Sequence, residues 1–153
     1  MDRVGKLTSI SGLEIFPVKK LENEKGKLFH VMRSDLPFFE KFGEVYISVT
    51  NPNVIKGWKF HEILRQNFVV PVGEVKFVFF DNRPDSPTKG SICELITGED
   101  NYYLIKVPEQ IWYGFKTISD KPSYIVNCAT HPHDPAESKL IDLEDDLIPY
   151  KWN

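Results

Sequence analysis

Residues 56–81 read KGWKFHEILRQNFVVPVGEVKFVFFD, two strand-like segments separated by a polar patch and a tight Val72-Gly73-Glu74 turn. No other stretch restricts the fold as strongly. In the first segment Lys59 and His61 stand two residues apart. On a strand that spacing points both side chains to one face, about 7 Å from each other, with Gly57 leaving room on the same face. After the turn, Val75, Phe77 and Phe79 alternate with Lys76, Val78 and Phe80, the pattern of a half-buried strand. The window is expected to form a hairpin whose inner face holds a small polar cluster inside an apolar barrel.

The rest of the chain continues the pattern. Strands are expected over residues 13–20, 27–33, 44–50, 91–97, 102–107, 111–118 and 124–128, with Gly, Pro, Asn and Asp marking the turns between them. Along 44–50, Val45, Ile47 and Val49 share one face and Tyr46, Ser48 and Thr50 the other. Asp35-Leu36-Pro37 is expected to open a short helical turn with Asp35 as its cap. The segment 81–90, DNRPDSPTKG, is a loop by composition. The acidic, proline-punctuated tail 131–153 is expected to be irregular, with at most one short helix. About ten short strands with almost no helical periodicity indicate one all-β domain spanning 1–153, an antiparallel sandwich or small barrel.

Composition narrows the function. A net charge of −3 and the lack of any long basic run argue against a nucleic-acid partner. No apolar run approaches the ~20 residues that cross a bilayer, so no membrane partner is expected. Cys93 and Cys128 both lie in apolar strand-like runs, where buried free thiols fit a cytoplasmic protein. Phosphate-loop, dinucleotide, zinc and nucleophile-elbow patterns are all missing.

Several short motifs, in order, carry a resemblance: Glu24-Lys25-Gly26, Lys56-Gly57-Trp58-Lys59, Val72-Gly73-Glu74-Val75 and Asp85-Ser86-Pro87-Thr88-Lys89-Gly90. They continue with Ile105-Lys106-Val107-Pro108, Tyr113-Gly114-Phe115, Asp134-Pro135-Ala136-Glu137 and Ile148-Pro149-Tyr150-Lys151-Trp152. The chain resembles the dTDP-4-dehydrorhamnose 3,5-epimerase family of cupins over nearly its whole length. The resemblance implies a jelly-roll cupin (a double-stranded β-helix), usually a homodimer. It also implies action on a nucleotide-linked 4-keto-6-deoxy sugar in surface polysaccharide synthesis. A cupin metal site needs several His or Glu ligands and only His61 occupies a matching position, so no metal and no cofactor are expected. At the positions where the family carries its catalytic side chains, this chain departs from it. Lys59 stands at the family's base histidine, Tyr113 at a sugar-orienting histidine, and Val126 at the acid tyrosine. Asn67 falls near a family lysine, and the aspartate that partners the base would lie beyond Asn153. A second likeness, Gly57-x-Lys59-x-His61-x-x-x-x-Gln66 with the tail Ala129-Thr130-His131-Pro132-His133-Asp134, is to the sugar-nucleotide 3,4-ketoisomerases, with lysine in place of their first histidine.

These patterns define a candidate site. His61 is either a general base or acid, since a neutral imidazole suits enolisation beside a ketone, or a strand histidine satisfied by a neighbour. Lys59 is a base or carbonyl-binding amine, or else a cation for the diphosphate. Tyr113 either polarises a carbonyl or is a core aromatic. Lys25, Lys56 and Arg65 are each either a cation for phosphate oxygens or a plain surface charge. Gln66 and Asn67 are expected to touch the sugar nucleotide, and His131 and His133 either lie in a loop that closes over the barrel mouth or in a solvated loop. The alternative to catalysis is a nucleotide-sugar-binding cupin that has lost its base.

Overall fold

The computed structural model describes residues 6–153. Its strands are β1 (Lys6–Leu7), β2 (Glu14–Pro17), β3 (Lys20–Asn23), β4 (Gly26–Phe29), β5 (Glu44–Thr50), β6 (Ile55–His61) and β7 (Gln66–Val72). They continue with β8 (Glu74–Asp81), β9 (Ile92–Gly98), β10 (Tyr103–Val107), β11 (Ile111–Thr117), β12 (Ser123–Ala129) and β13 (Ser138–Leu140). A six-stranded sheet in the order β1-β2-β10-β7-β12-β5 faces a five-stranded sheet in the order β13-β6-β11-β8-β9, and β3-β4 form a separate hairpin. The expected all-β jelly roll is what the chain forms. Between the sheets, Phe68 and Val70 of β7 meet Phe77 and Phe79 of β8, Phe115 of β11 and Ile125 of β12. A fully buried Phe or Val side chain contributes about 1.5–3 kcal/mol, so this layer is the main source of stability.

Both outer faces are also partly covered. Phe16, Val18, Leu36 and Phe38 pack over Val69 and Leu104 of the six-stranded sheet. On the other side, Ile148, Tyr150 and Trp152 of the tail lie over Trp58, Val78 and Trp112.

Several local expectations change. The 56–81 window is not a hairpin: β6 and β8 belong to the five-stranded sheet, whereas β7 lies in the other. Gly73 (φ +81) turns the chain from one sheet to the other, and a Cβ there would stand 2.8 Å from Ser123 Cα. Alternation looks the same whether a turn returns within a sheet or crosses the sandwich. The expected strand 13–20 is interrupted after Pro17, and 27–33 shortens to β4. Asp35 caps no helix; its carboxylate pairs with Arg33. The tail is more ordered than expected, with a 3-10 turn at Pro135–Glu137 capped by Asp134 and then β13. Cys93 is buried and Cys128 half-buried, both free. Among the described residues no helix is long and apolar enough to cross a membrane.

Candidate active site

The site begins with an irregularity in β6. Tyr113 of β11 stands opposite Lys59, and Phe115 stands opposite Lys56, so two steps on β11 face three on β6. The extra residue is a bulge at Gly57-Trp58. Directly paired residues share a face. Tyr113 and Phe115 both belong to the interior cluster, so Lys56 and Lys59 both turn inward and Trp58 turns out to the tail. Lys56, rather than Gly57, therefore joins Lys59 and His61. Only glycine fits at 57, where φ is +147 and a Cβ would stand 2.7 Å from Gly114 Cα.

His61 is the best-defined polar group of the interior. Its side chain is 7% exposed, and its Nδ1 lies 2.5 Å from Oε1 of Glu137. Oε2 of the same carboxylate accepts from the backbone N–H groups of Ile63 (3.4 Å) and Leu64 (3.3 Å). Burial pushes the imidazole below its ordinary pKa, opposed by Glu137 and reinforced by Lys59 and His133. For Glu137, burial acts upward, but the His61 and backbone hydrogen bonds outweigh it and leave the carboxyl below its usual range. Both directions describe a neutral imidazole beside an ionised carboxylate at neutral pH. In that state Nδ1–H donates to Glu137, and the lone pair rests on Nε2. That Nε2 is buried and has no hydrogen-bond partner among the described residues.

His61 opens on a cleft of about 340 Å³ that Tyr46, Lys59, Leu64, Asn127 and His133 also line. Asn127 Nδ2 donates to the Tyr46 hydroxyl at 3.0 Å. Burial raises the Tyr46 pKa, the Asn127 hydrogen bond opposes it, and Glu44 adds to the rise, so the phenol keeps its proton. Tyr113 lies behind His61 with the rings stacked at 6.2 Å, and its hydroxyl accepts from Gln66 Nε2 at 3.0 Å. Burial raises its pKa too. The arrangement holds a neutral base with a carboxylate partner, a protonated phenol and an ammonium group around one small cleft. Such a set can remove a proton beside a carbonyl and return one.

The expected residues divide. His61, Lys59 and His133 line the cleft, and Tyr113 and Gln66 back it. Lys56 is exposed on the same inner side, with Nζ 3.4 Å from Ser48 Oγ. Lys25 is at the tip of the β3-β4 hairpin, outside the cleft lining. Arg65 is held by Glu40 and Glu109. Asn67 faces the other side of its sheet, where Nδ2 donates to Cys128 O at 3.0 Å. His131 is not in the lining; its Nδ1 lies 2.8 Å from Thr130 Oγ1. Reading the sequence missed Glu137, Tyr46 and Asn127. Glu137 closes the Asp134-Pro135-Ala136-Glu137 motif, and Tyr46 alternates with the apolar face of β5, so each left a signal without a partner to give it meaning. Among the described residues, no three His, Cys, Asp or Glu side chains gather into a metal-sized cluster.

The family model of dTDP-4-dehydrorhamnose 3,5-epimerase matches residues 7–153. The chain belongs to that family. Among its curated relatives, the probable low-salt glycan biosynthesis epimerase Agl13 of Haloferax volcanii is 36% identical over 146 residues, covering 94% of this chain and 90% of the relative. The spore coat polysaccharide biosynthesis protein SpsL of Bacillus subtilis is 30% identical, covering 94% of this chain and 97% of its own. Among solved structures, the dTDP sugar isomerase of Desulfovibrio desulfuricans G20 is 36% identical and superposes with a TM-score of 0.94, covering 96% of this chain and 94% of that one. A Legionella pneumophila epimerase solved with dTDP-4-keto-L-rhamnose is 22% identical; it shares the fold, with a TM-score of 0.85 over 97% of this chain and 82% of its own.

Proposed function

We propose that the chain is an epimerase of a nucleotide-linked 4-keto-6-deoxy sugar, carried by dTDP, that serves polysaccharide or glycan synthesis. The observation that carries this reading is the His61–Glu137 pair, whose imidazole has an unpartnered Nε2 and lines the same cleft as the protonated Tyr46. Family membership and the names of the relatives support the substrate class.

In the reaction, His61 Nε2 takes the proton from the carbon next to the ketone, and the electron pair moves onto the ketone oxygen. Glu137 stabilises the imidazolium that forms. Lys59 offers a positive charge to the developing enolate or the diphosphate, and Lys56 extends that charge along the inner face. Tyr46 supplies a proton from its own side of the cleft, and the carbon is inverted. In this reading Tyr46, on the strand next to Val126, takes the acid role, and Glu137 partners the base.

A homodimer accompanies this reading. Strand β5 is the open edge of its sheet, and Val45, Ile47, Val49 and the adjacent Tyr124 are 53, 59, 54 and 42% exposed. Such an edge calls for a covering partner. A nucleotide-linked substrate also favours the cytoplasm as the site of action.

The test is solvent deuterium incorporation into dTDP-4-keto-6-deoxyglucose, with His61→Asn as the control. Incorporation by the wild-type protein and none by the variant is the expected result. Tight dTDP binding without any incorporation would leave the binding-module reading in its place.

A further inference from the structure

We propose that Trp152, at the far end of the tail, is a positioning residue for the His61–Glu137 pair. The inference builds on the reading of that pair as the proton-transfer centre. Locally, Glu137 is held by polar contacts: its carboxylate meets His61 and the backbone N–H groups of Ile63 and Leu64, and its carbonyl accepts from Glu62 N. The 3-10 turn that carries it has no buried residue. The strand that follows, β13, is three residues long, pairs only with β6, and exposes Lys139 and Leu140. Upstream, residues 132–136 are all exposed.

The firm attachment comes later in the tail. Trp58 and Ile141 exchange two backbone hydrogen bonds of 3.1 Å, and Trp58 Nε1 donates to Leu143 O at 3.1 Å. Ile148 is 3% exposed. The rings of Tyr150 and Trp152 lie 6.0 and 5.3 Å from that of Trp58. Lys76 Nζ stands 5.5 Å from Tyr150 and 5.4 Å from Trp152, clamping both rings from outside.

Trp58 and His61 belong to the same strand and point to opposite faces of it. Ser138 stands opposite His61, and Glu62 N donates to Glu137 O at 2.8 Å. A tail anchored on the outer face at Trp58 therefore fixes the register of β13 along β6. That register brings the Glu137 carboxylate to His61 Nδ1. Loosening the anchor lets β13 slip or fray, because a short edge strand with exposed side chains keeps its register by hydrogen bonds alone, without apolar packing of its own.

The experiment observes the His61 Nδ1–H proton by NMR in sugar-free protein, with Glu137→Gln assigning the carboxylate-bonded signal by its loss. In Trp152→Ala the signal is expected to vanish or exchange far faster with solvent. The epimerase kcat should fall on the order of 10²-fold with KM nearly unchanged, the scale of a small misplacement of a catalytic group. Trp152→Phe should restore both. Lys76→Met, a surface change that leaves the core intact, should raise the exchange rate of the same proton on the order of tenfold. An unchanged Nδ1–H signal in folded Trp152→Ala, or unchanged exchange in Lys76→Met, would overturn the proposal. The NMR readout uses no substrate, so a protein that positions the pair but does not epimerise would disprove the function and leave the positioning role standing.

Discussion

Tyr46 and Asn127 face each other across the β5–β12 ladder, and the Asn127 amide donates to the Tyr46 hydroxyl. The amide is itself oriented, because its Oδ1 accepts from the backbone N–H of Asn67 at 3.3 Å. Tyr46 thus receives a hydrogen bond while its own proton stays available to the cleft. Replacing Tyr46 by Phe removes the acid and spares the base. Product formation should fall by about 10²–10⁴-fold, while deuterium exchange on the His61 side stays within about tenfold of wild type. Equal losses in both assays would show that Tyr46 is not the acid.

The pH profile follows from His61. Its folded pKa lies below the ordinary histidine value, so the neutral base persists through neutrality. Activity should fall only as pH drops below about 6.5, through the depressed pKa of the folded protein. Glu137 raises that pKa, so Glu137→Gln should move the acid limb to still lower pH. The plateau should drop by on the order of 10²-fold, because the imidazolium loses its partner. Steady-state kcat/KM across pH 4.5–8 reads both effects, and a limb that shifts upward contradicts the pairing.

Lys56 and Lys59 should act on binding. Either change to Met is expected to weaken dTDP by about 1–3 kcal/mol in calorimetry, the scale of one charge-assisted contact. Arg65 is held by carboxylates, and Lys25 and Asn67 lie outside the cleft lining. Lys25→Met and Asn67→Ala should therefore leave dTDP affinity unchanged. A loss with Lys25→Met would mean that the hairpin reaches a nucleotide site, for instance in a neighbouring copy.

Stability has its own polar centre at Asp81, which is fully buried. Its carboxylate accepts from Arg83 Nε and Nη2 (both 2.9 Å), Ser86 Oγ (2.6 Å) and Thr88 Oγ1 (2.7 Å). Burial works against the charge, but these donors outweigh it and hold the pKa well below the carboxylate range. The contribution is present above the unfolded value of about 3.9 and is lost as pH falls toward the folded one. Asp81→Asn should cost about 3–5 kcal/mol in urea unfolding at pH 7, as for a broken buried pair. A cost below ~1 kcal/mol would place the loop's stability elsewhere.

The β5 edge predicts assembly. Wild-type protein should run as a dimer in light scattering at micromolar concentration. Ile47→Lys, on the exposed face and not in the cleft lining, should convert it to a monomer without lowering the melting temperature of the protomer by more than a few degrees. A wild-type monomer would refute the edge as an interface.

The β-rich class was determined by local chemistry: alternation such as Val75, Phe77 and Phe79 suits a pleat wherever the strand ends up. The inward placement of Lys59 and His61 also followed from the period of two. Sheet membership did not, because a Val72-Gly73-Glu74 turn reads the same whether it closes a hairpin or crosses the sandwich. The partnership of Lys56 with Lys59 needed the bulge, which depends on how β11 pairs with β6. Glu137 and His61 are 76 residues apart. No period or spacing links such positions; only the anchored tail brings them into contact. Sequence therefore specified which faces are apolar and which residue types the interior would hold. Tertiary pairing alone decided which polar groups meet there, because long-range register depends on the packing of all the strands together.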